Sequence, residues 1–231
     1  MPPERLGIFI SHSTYDLSDV NDLTSELEFL GFKVFVAHRD IEPSAEWLDE
    51  IVAALKSYEI FIAYITNNFK NSAWCDQESG IAYVHNRKII PIIAEKKMIP
   101  YGFLNKYQKF GIYSERSLHP YRWSRIIASK IFDLLYKDSL FKSKLRESVF
   151  GVVPLVSNFY FANALFNKLP MLEPFSKDEI IRIIGESNTN RQIYEAGEAI
   201  DVLRDFIKRY ENDLVGLEDL LSLQEKLQKQ P

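Results

Sequence analysis

The chain has 231 residues, 46% of them apolar and 26% charged, with a net charge of -4 at pH 7. That length suits one large domain, or a domain of ordinary size with a smaller appendage, and the composition is that of a soluble globular protein. The weak negative charge supplies no basic field to gather nucleic acid or anionic lipid, and Cys75, the single cysteine, excludes an intramolecular disulfide.

Four scattered histidines, His12, His38, His85 and His119, do not form the spacing of a Cys/His zinc cage, so no metal site is expected. A reducing cytosol fits the cysteine usage, giving a cytoplasmic expectation. The start "MPPERLGIFISHS" has no basic segment before a long apolar run, and the longest apolar stretch, "VFGVVPLV" (Val149 to Val156), is far short of the ~20 residues that span a bilayer, so neither export nor a membrane anchor is expected.

In chain order, "LGIFIS" (Leu6 to Ser11) reads as a buried strand. Val20, Leu23, Leu27 and Leu30 then recur at helical spacing, and Gly31 stands where a left-handed cap is wanted. "KVFVA" (Lys33 to Ala37) is a second strand and "HRDIEPSAEW" (His38 to Trp47) a polar loop, with Ser44 as N-cap of a helix lined by Trp47, Ile51, Leu55 and Tyr58. "IFIAYIT" (Ile60 to Thr66) is a third strand, "AWCDQESGIAYVHN" a third helix and "KIIPII" (Lys88 to Ile93) a fourth strand. "YQKFGIY" (Tyr107 to Tyr113) supplies a shorter fifth, and "YRWSRIIASKIFDLLYK" (Tyr121 to Lys137) a closing helix. Strands alternating with helices indicate a parallel sheet with crossover helices on both faces.

Residues 138–231 read as helices only. "SKDE" (Ser176 to Glu179) is a capping box, Gly185 with "ESNTN" is expected to break the following helix, Ile200, Leu203, Ile207 and Tyr210 form a stripe, and Leu217 to Leu227 offers a further helix. The expected division is an α/β domain over 1–137 and a small α-helical module over 138–231.

Ligands of an open α/β sheet bind at the carboxyl ends of its strands. After the first strand stands "SHSTYD" (Ser11 to Asp16). It has no glycine-rich phosphate loop, and its hydroxyls read either as contacts to a ribose or phosphate or as a turn and N-cap cluster around Ser18. Asp40 and Glu42 could bind a cation or simply pair with Arg39. Cys75 reads as a small buried hydrophobe. Trp74 and Glu78, four apart at the start of the third helix, share a helix face beside a strand end, and Ile81 and His85 continue that face.

"IFISHSTYD", "GFKVFVAHRDIEPSAEW", "ALKSYEIFIAYITNNFKNSAWCDQESGIA" and "KIIPII", in this order and spacing, resemble a TIR (Toll/interleukin-1 receptor) domain of the bacterial type over about Leu6 to Lys137. The resemblance implies a flavodoxin-like sheet and cleavage of NAD+ between nicotinamide and ribose, with NAD+ as substrate and no cofactor. The products would be nicotinamide and ADP-ribose or a cyclic isomer, in antiphage defence. Its catalytic glutamate falls on Glu78, in the family's "W-C-x-x-E" context, and its ring platform on Trp74. Ser11, His12, Ser13 and Arg39 are the expected substrate contacts. His38 to Trp47 corresponds to the BB loop, which implies self-association between TIR domains, and the helical module would meet a trigger or a partner protein. Two other readings stand beside it: a noncatalytic TIR interaction module, and a nucleoside deoxyribosyltransferase on a related fold.

Overall fold

The computed structural model describes residues 5–36, 47–210, 212 and 216–230, with Trp47 described in its backbone alone. By internal contacts the chain divides into two compact units. One comprises Arg5–Glu28 and Phe32–Leu145, the other Phe29–Gly31 and the chain from Arg146 onward.

The first unit is built on five parallel strands: β1 (Gly7–Ser11), β2 (Lys33–Val36), β3 (Ile60–Ile65), β4 (Lys88–Ile93) and β5 (Phe110–Gly111), in the order β2-β1-β3-β4-β5. The helices are α1 (Leu17–Phe29), α2 (Trp47–Ser57), α3 (Asn67–Lys70), α4 (Ala73–Val84), α5 (Tyr113–Leu118) and α6 (Trp123–Lys137). The expected doubly wound sheet is therefore present, with the fifth strand reduced to two residues. Apart from Ser11 at the end of β1 and Lys88 at the start of β4, strands β1, β3 and β4 are apolar because both their faces are covered. Gly31 adopts φ of 95°, the left-handed conformation that ends α1 and turns the chain into β2.

Strand alternation sorts the two faces. Phe9, Phe61, Ala63 and Ile65 form one core with Ile51 and Leu55 of α2 and Cys75 and Ala82 of α4. The intervening β3 residues Ile60, Ile62 and Tyr64 point to the other face, where the Tyr64 hydroxyl donates to Asp19 Oδ2 of α1 at 2.9 Å. Each buried Ile, Leu or Phe contributes ~1.5–3 kcal/mol. Fixing β1 between β2 and β3, with Ser11 in register with Ala63, places the end of β1 at the point where strand order reverses.

Asp19 joins three elements. It accepts Tyr64 and takes a two-pronged ion pair from Arg116 of α5 at 2.6 and 3.1 Å, while that guanidinium lies 5.4 Å from the Trp123 ring centroid. Burial first, with Asp19 close behind, pushes the Tyr64 phenol well above its usual range, so it remains a donor.

The second unit is helical. It contains the second half of α7 (Ser139–Val152), then α8 (Phe159–Phe166), α9 (Lys177–Thr189), α10 (Arg191–Tyr194), α11 (Gly197–Arg209) and α12 (Glu218–Gln228). The expected capping box closes at Ser176 and Glu179, and Arg146 clamps Glu179 at 2.8 Å. The break expected at Gly185 does not occur: α9 runs through it to Thr189. Asp219 of α12 approaches to 3.6 Å of the space a Cβ would occupy there, and buried Ile183, Ile184 and Asn188 anchor both sides of the glycine. Packing thus outweighs the ~1 kcal/mol propensity penalty of one mid-helix glycine.

Among the described residues no helix is long and apolar enough to cross a membrane. Asp19→Ala strands a buried phenol and the Arg116 charge together, and should lower unfolding free energy by about 1–3 kcal/mol. Denaturant titration against Tyr64→Phe, which removes only one donor and should cost about 1 kcal/mol, checks this.

Candidate active site

Two loops at the carboxyl edge of the sheet are tied together before any ligand is considered. Thr66, just beyond β3, caps α3 by accepting from Phe69 N at 3.0 Å and donates its own proton to Asp16 Oδ2 at 2.6 Å. Asp16 lies in a short 3-10 turn, Thr14–Asp16, which follows β1. Burial raises its carboxyl above the usual range, against the bonds from Thr66 and Asn68. Ser18 lies inside α1 and is not its cap.

Helix α4 starts at the same edge. Ser72 is its N-cap, accepting from Cys75 N at 3.4 Å, and Tyr101, from the β4–β5 connection, donates to Asp76 Oδ1 at 2.6 Å. Phe103 stacks on Tyr83 at 4.7 Å and Lys106 stands 4.3 Å from that ring's centroid. The connection from β4 thus holds both ends of the helix that carries Glu78. Nothing in the local sequence announces Tyr101, because its partner lies 25 residues away.

Glu78, in the second turn of α4, is 3% exposed. Its Oε2 accepts from Ser11 Oγ at 2.5 Å, across 67 residues of sequence. Phe9 faces the α2 and α4 core, so Ser11, two residues on, faces it as well. Burial drives the Glu78 carboxyl up to about 7, and the Ser11 bond acts against that rise. Near neutral pH the group therefore exchanges between acid and carboxylate.

The structure brings Ser11 and Glu78 together, and the other expected site residues that it describes are His12, Ser13 and Trp74. His12 and Ser13, 2% and 7% exposed, continue β1 inward. Ser13 caps the short turn through its carbonyl, which accepts from Asp16 N at 2.8 Å, and its hydroxyl makes no capping bond. Trp74, one helical turn before Glu78, is 40% exposed, so the pair spans the boundary between core and surface. Ile81 is half-buried and His85 exposed. Arg39, Asp40, Glu42 and Ser44 lie outside the described residues.

Cys75 is buried, as expected. Burial pushes its thiol up to about 11, with the Ser72 and Ser11 hydroxyls acting against the rise, so it remains protonated. Among the described residues no group of three or more His, Cys, Asp or Glu side chains could hold a metal ion.

The raised Glu78 value has a consequence for stability. Between about pH 4.5, the value of a solvated glutamate, and about 7, the folded chain binds more protons than the unfolded one. Stability from this group therefore falls as pH rises through that window and stays reduced above it. Glu78→Gln removes the penalty: thermal denaturation should show it gaining up to about 3 kcal/mol over wild type at pH 8, and little at pH 4.5.

Residues 8–119 match the family model described as TIR domain. Among solved structures the chain is similar to the TIR domain of a Toll-related receptor from the lower metazoan Hydra magnipapillata, at 25% identity and a TM-score of 0.43, over 53% of this chain and 95% of that one. No curated protein matches the chain. Residues 8–119, which carry the parallel sheet and the Ser11–Glu78 pair, are a TIR domain.

Proposed function

We propose that the protein cleaves NAD+ at the bond between nicotinamide and ribose, with Glu78 as the catalytic carboxylate. The observation that carries this reading is a glutamate 3% exposed at the strand-order reversal of an open parallel sheet, held by one hydroxyl and ionising near neutrality. Perturbed ionisation at a ligand-binding edge marks a functional group rather than a solubilising charge.

The chemistry needs little else. When the C1′–N1 bond breaks, its electron pair passes to the pyridinium nitrogen and nicotinamide leaves neutral, so no acid has to protonate the leaving group. Positive charge grows on the ribose carbon. A carboxylate fixed in a poorly solvated site stabilises that charge more in the transition state than in the ground state. Water then attacks C1′ to give ADP-ribose, or a nucleophile of the same molecule closes a cyclic isomer. Trp74, partly exposed one turn before Glu78, would stack on the cationic ring for about 0.5–2 kcal/mol.

Within this reading Ser13 and Arg39 belong with the substrate contacts, His12 lines the inner end of the site, and the TIR domains self-associate on activation. The helical unit receives the trigger or partner protein. The setting is a cytosolic antiphage response of bacterial type. The rival reading, a noncatalytic interaction module, differs in one outcome: its partner binding would survive loss of Glu78.

Purified protein at high concentration, supplied with trigger, should release nicotinamide from NAD+, and Glu78→Ala should reduce the rate by at least about 10²–10³-fold. Equal inertness of both forms while the protein still assembles would reject the enzymatic reading. Trp74→Ala should raise KM by about 2–30-fold, the equivalent of the stacking energy above. Because the ionised form of Glu78 is the active one, the rate should climb from pH 6 to 8 with a midpoint of about 7 and level off above it.

A further inference from the structure

Ser11 was expected to touch substrate, and its geometry argues for another task. The residue closes β1, is 0% exposed, and has its backbone locked opposite Ala63 of β3. A serine hydroxyl has one proton, and here it is directed to Glu78 at 2.5 Å. A ribose hydroxyl could accept from Ser11 only by first displacing the carboxylate. On the same core face, buried Cys75 donates its backbone N–H at 3.4 Å to Ser72 Oγ, the N-cap of the helix that bears Glu78.

We propose that Ser11 is a positioning residue: its hydroxyl, fixed at the end of β1, holds the Glu78 carboxylate in one orientation. The functional consequence rests on the reading of Glu78 as the catalytic group; the Ser11–Glu78 hydrogen bond itself does not. A glutamate has three side-chain rotations to lose, and a donor fixed by two neighbouring strands removes them before substrate arrives.

The other groups around Glu78 leave this role to Ser11. From β3 the same face presents apolar Ala63 and Ile65, and from α2 apolar Ile51 and Leu55. The charged residues of α2, Asp49, Glu50 and Lys56, are exposed. Asp76, on the same helix as Glu78, accepts from Tyr101. His12 follows Ser11 and is buried. Burial pushes the Glu78 carboxyl up and the Ser11 bond alone pulls it down.

The test is a carbon-13 carboxyl titration of Glu78 in the full chain, for wild type, Ser11→Ala and Ser11→Thr, with nicotinamide release measured alongside. Ser11→Ala should move the Glu78 midpoint up by about one pH unit. The alkaline shift of the activity limb should match it, with kcat at pH 7 reduced and KM little changed. Ser11→Thr, which keeps the donor, should restore both to within about half a unit of wild type. An unchanged midpoint in Ser11→Ala, with KM raised instead, would overturn the proposal and make Ser11 a substrate contact. In wild type, a deuterium isotope shift at the Glu78 carboxyl carbon reads the same bond without substitution, and its absence would also overturn the proposal. If no form releases nicotinamide while the titrations behave as expected, the enzymatic reading fails and the hold of Ser11 on Glu78 stands.

Discussion

A carboxylate buried against the sheet and held by one hydroxyl is the constraint around which the α/β unit is arranged. Ser11 Oγ meets Glu78 Oε2 at 2.5 Å only because β1 is pinned on both edges and α4 is pinned at its start. Each support is an ordinary stabilising device. The Ser72 cap fixes where α4 starts, Tyr101 and Phe103 hold its two ends, and the Asp16–Thr66 bond ties the loops after β1 and β3. Together they place a carboxyl group where loss of solvent disfavours its charged form.

The placement is costly in folding terms, and the rest of the unit offsets it. Ionising a buried glutamate at neutral pH opposes stability, whereas the apolar runs of β1, β3 and β4 and the Asp19–Tyr64–Arg116 cluster contribute to it. These two regions lie on opposite faces of the sheet. Asp19 and Tyr64 serve the α1 face, where Tyr64 and Arg116 donate to Asp19, and Glu78 serves the α4 face with a single hydrogen-bond donor. A fold that satisfies one carboxylate with three donors and another with one separates structural from chemical use of the same residue type.

Much of this was legible in the chain. The parallel sheet follows from apolar runs alternating with helical stripes, and Gly31 and the Ser176–Glu179 box behaved as local rules require. Gly185 did not, since its helix is held by buried Ile183 and Ile184 and by the bond from Asn188 to Asp219, 31 positions away, which no local window contains. Glu78 could be singled out by its spacing from Trp74 and by the TIR resemblance, but its burial could not, because i,i+4 spacing fixes a shared face and not its depth. The direction of Ser11 depended on strand register. Tyr101 gave no signal at all.

The most direct measurement follows Glu78 and the reaction in one sample: its carboxyl titration and the pH dependence of nicotinamide release from NAD+. The two midpoints should coincide near 7, the value at which burial and the Ser11 bond balance. A Glu78 midpoint near that of a solvated glutamate, or a release rate unchanged in Glu78→Ala, would contradict the account.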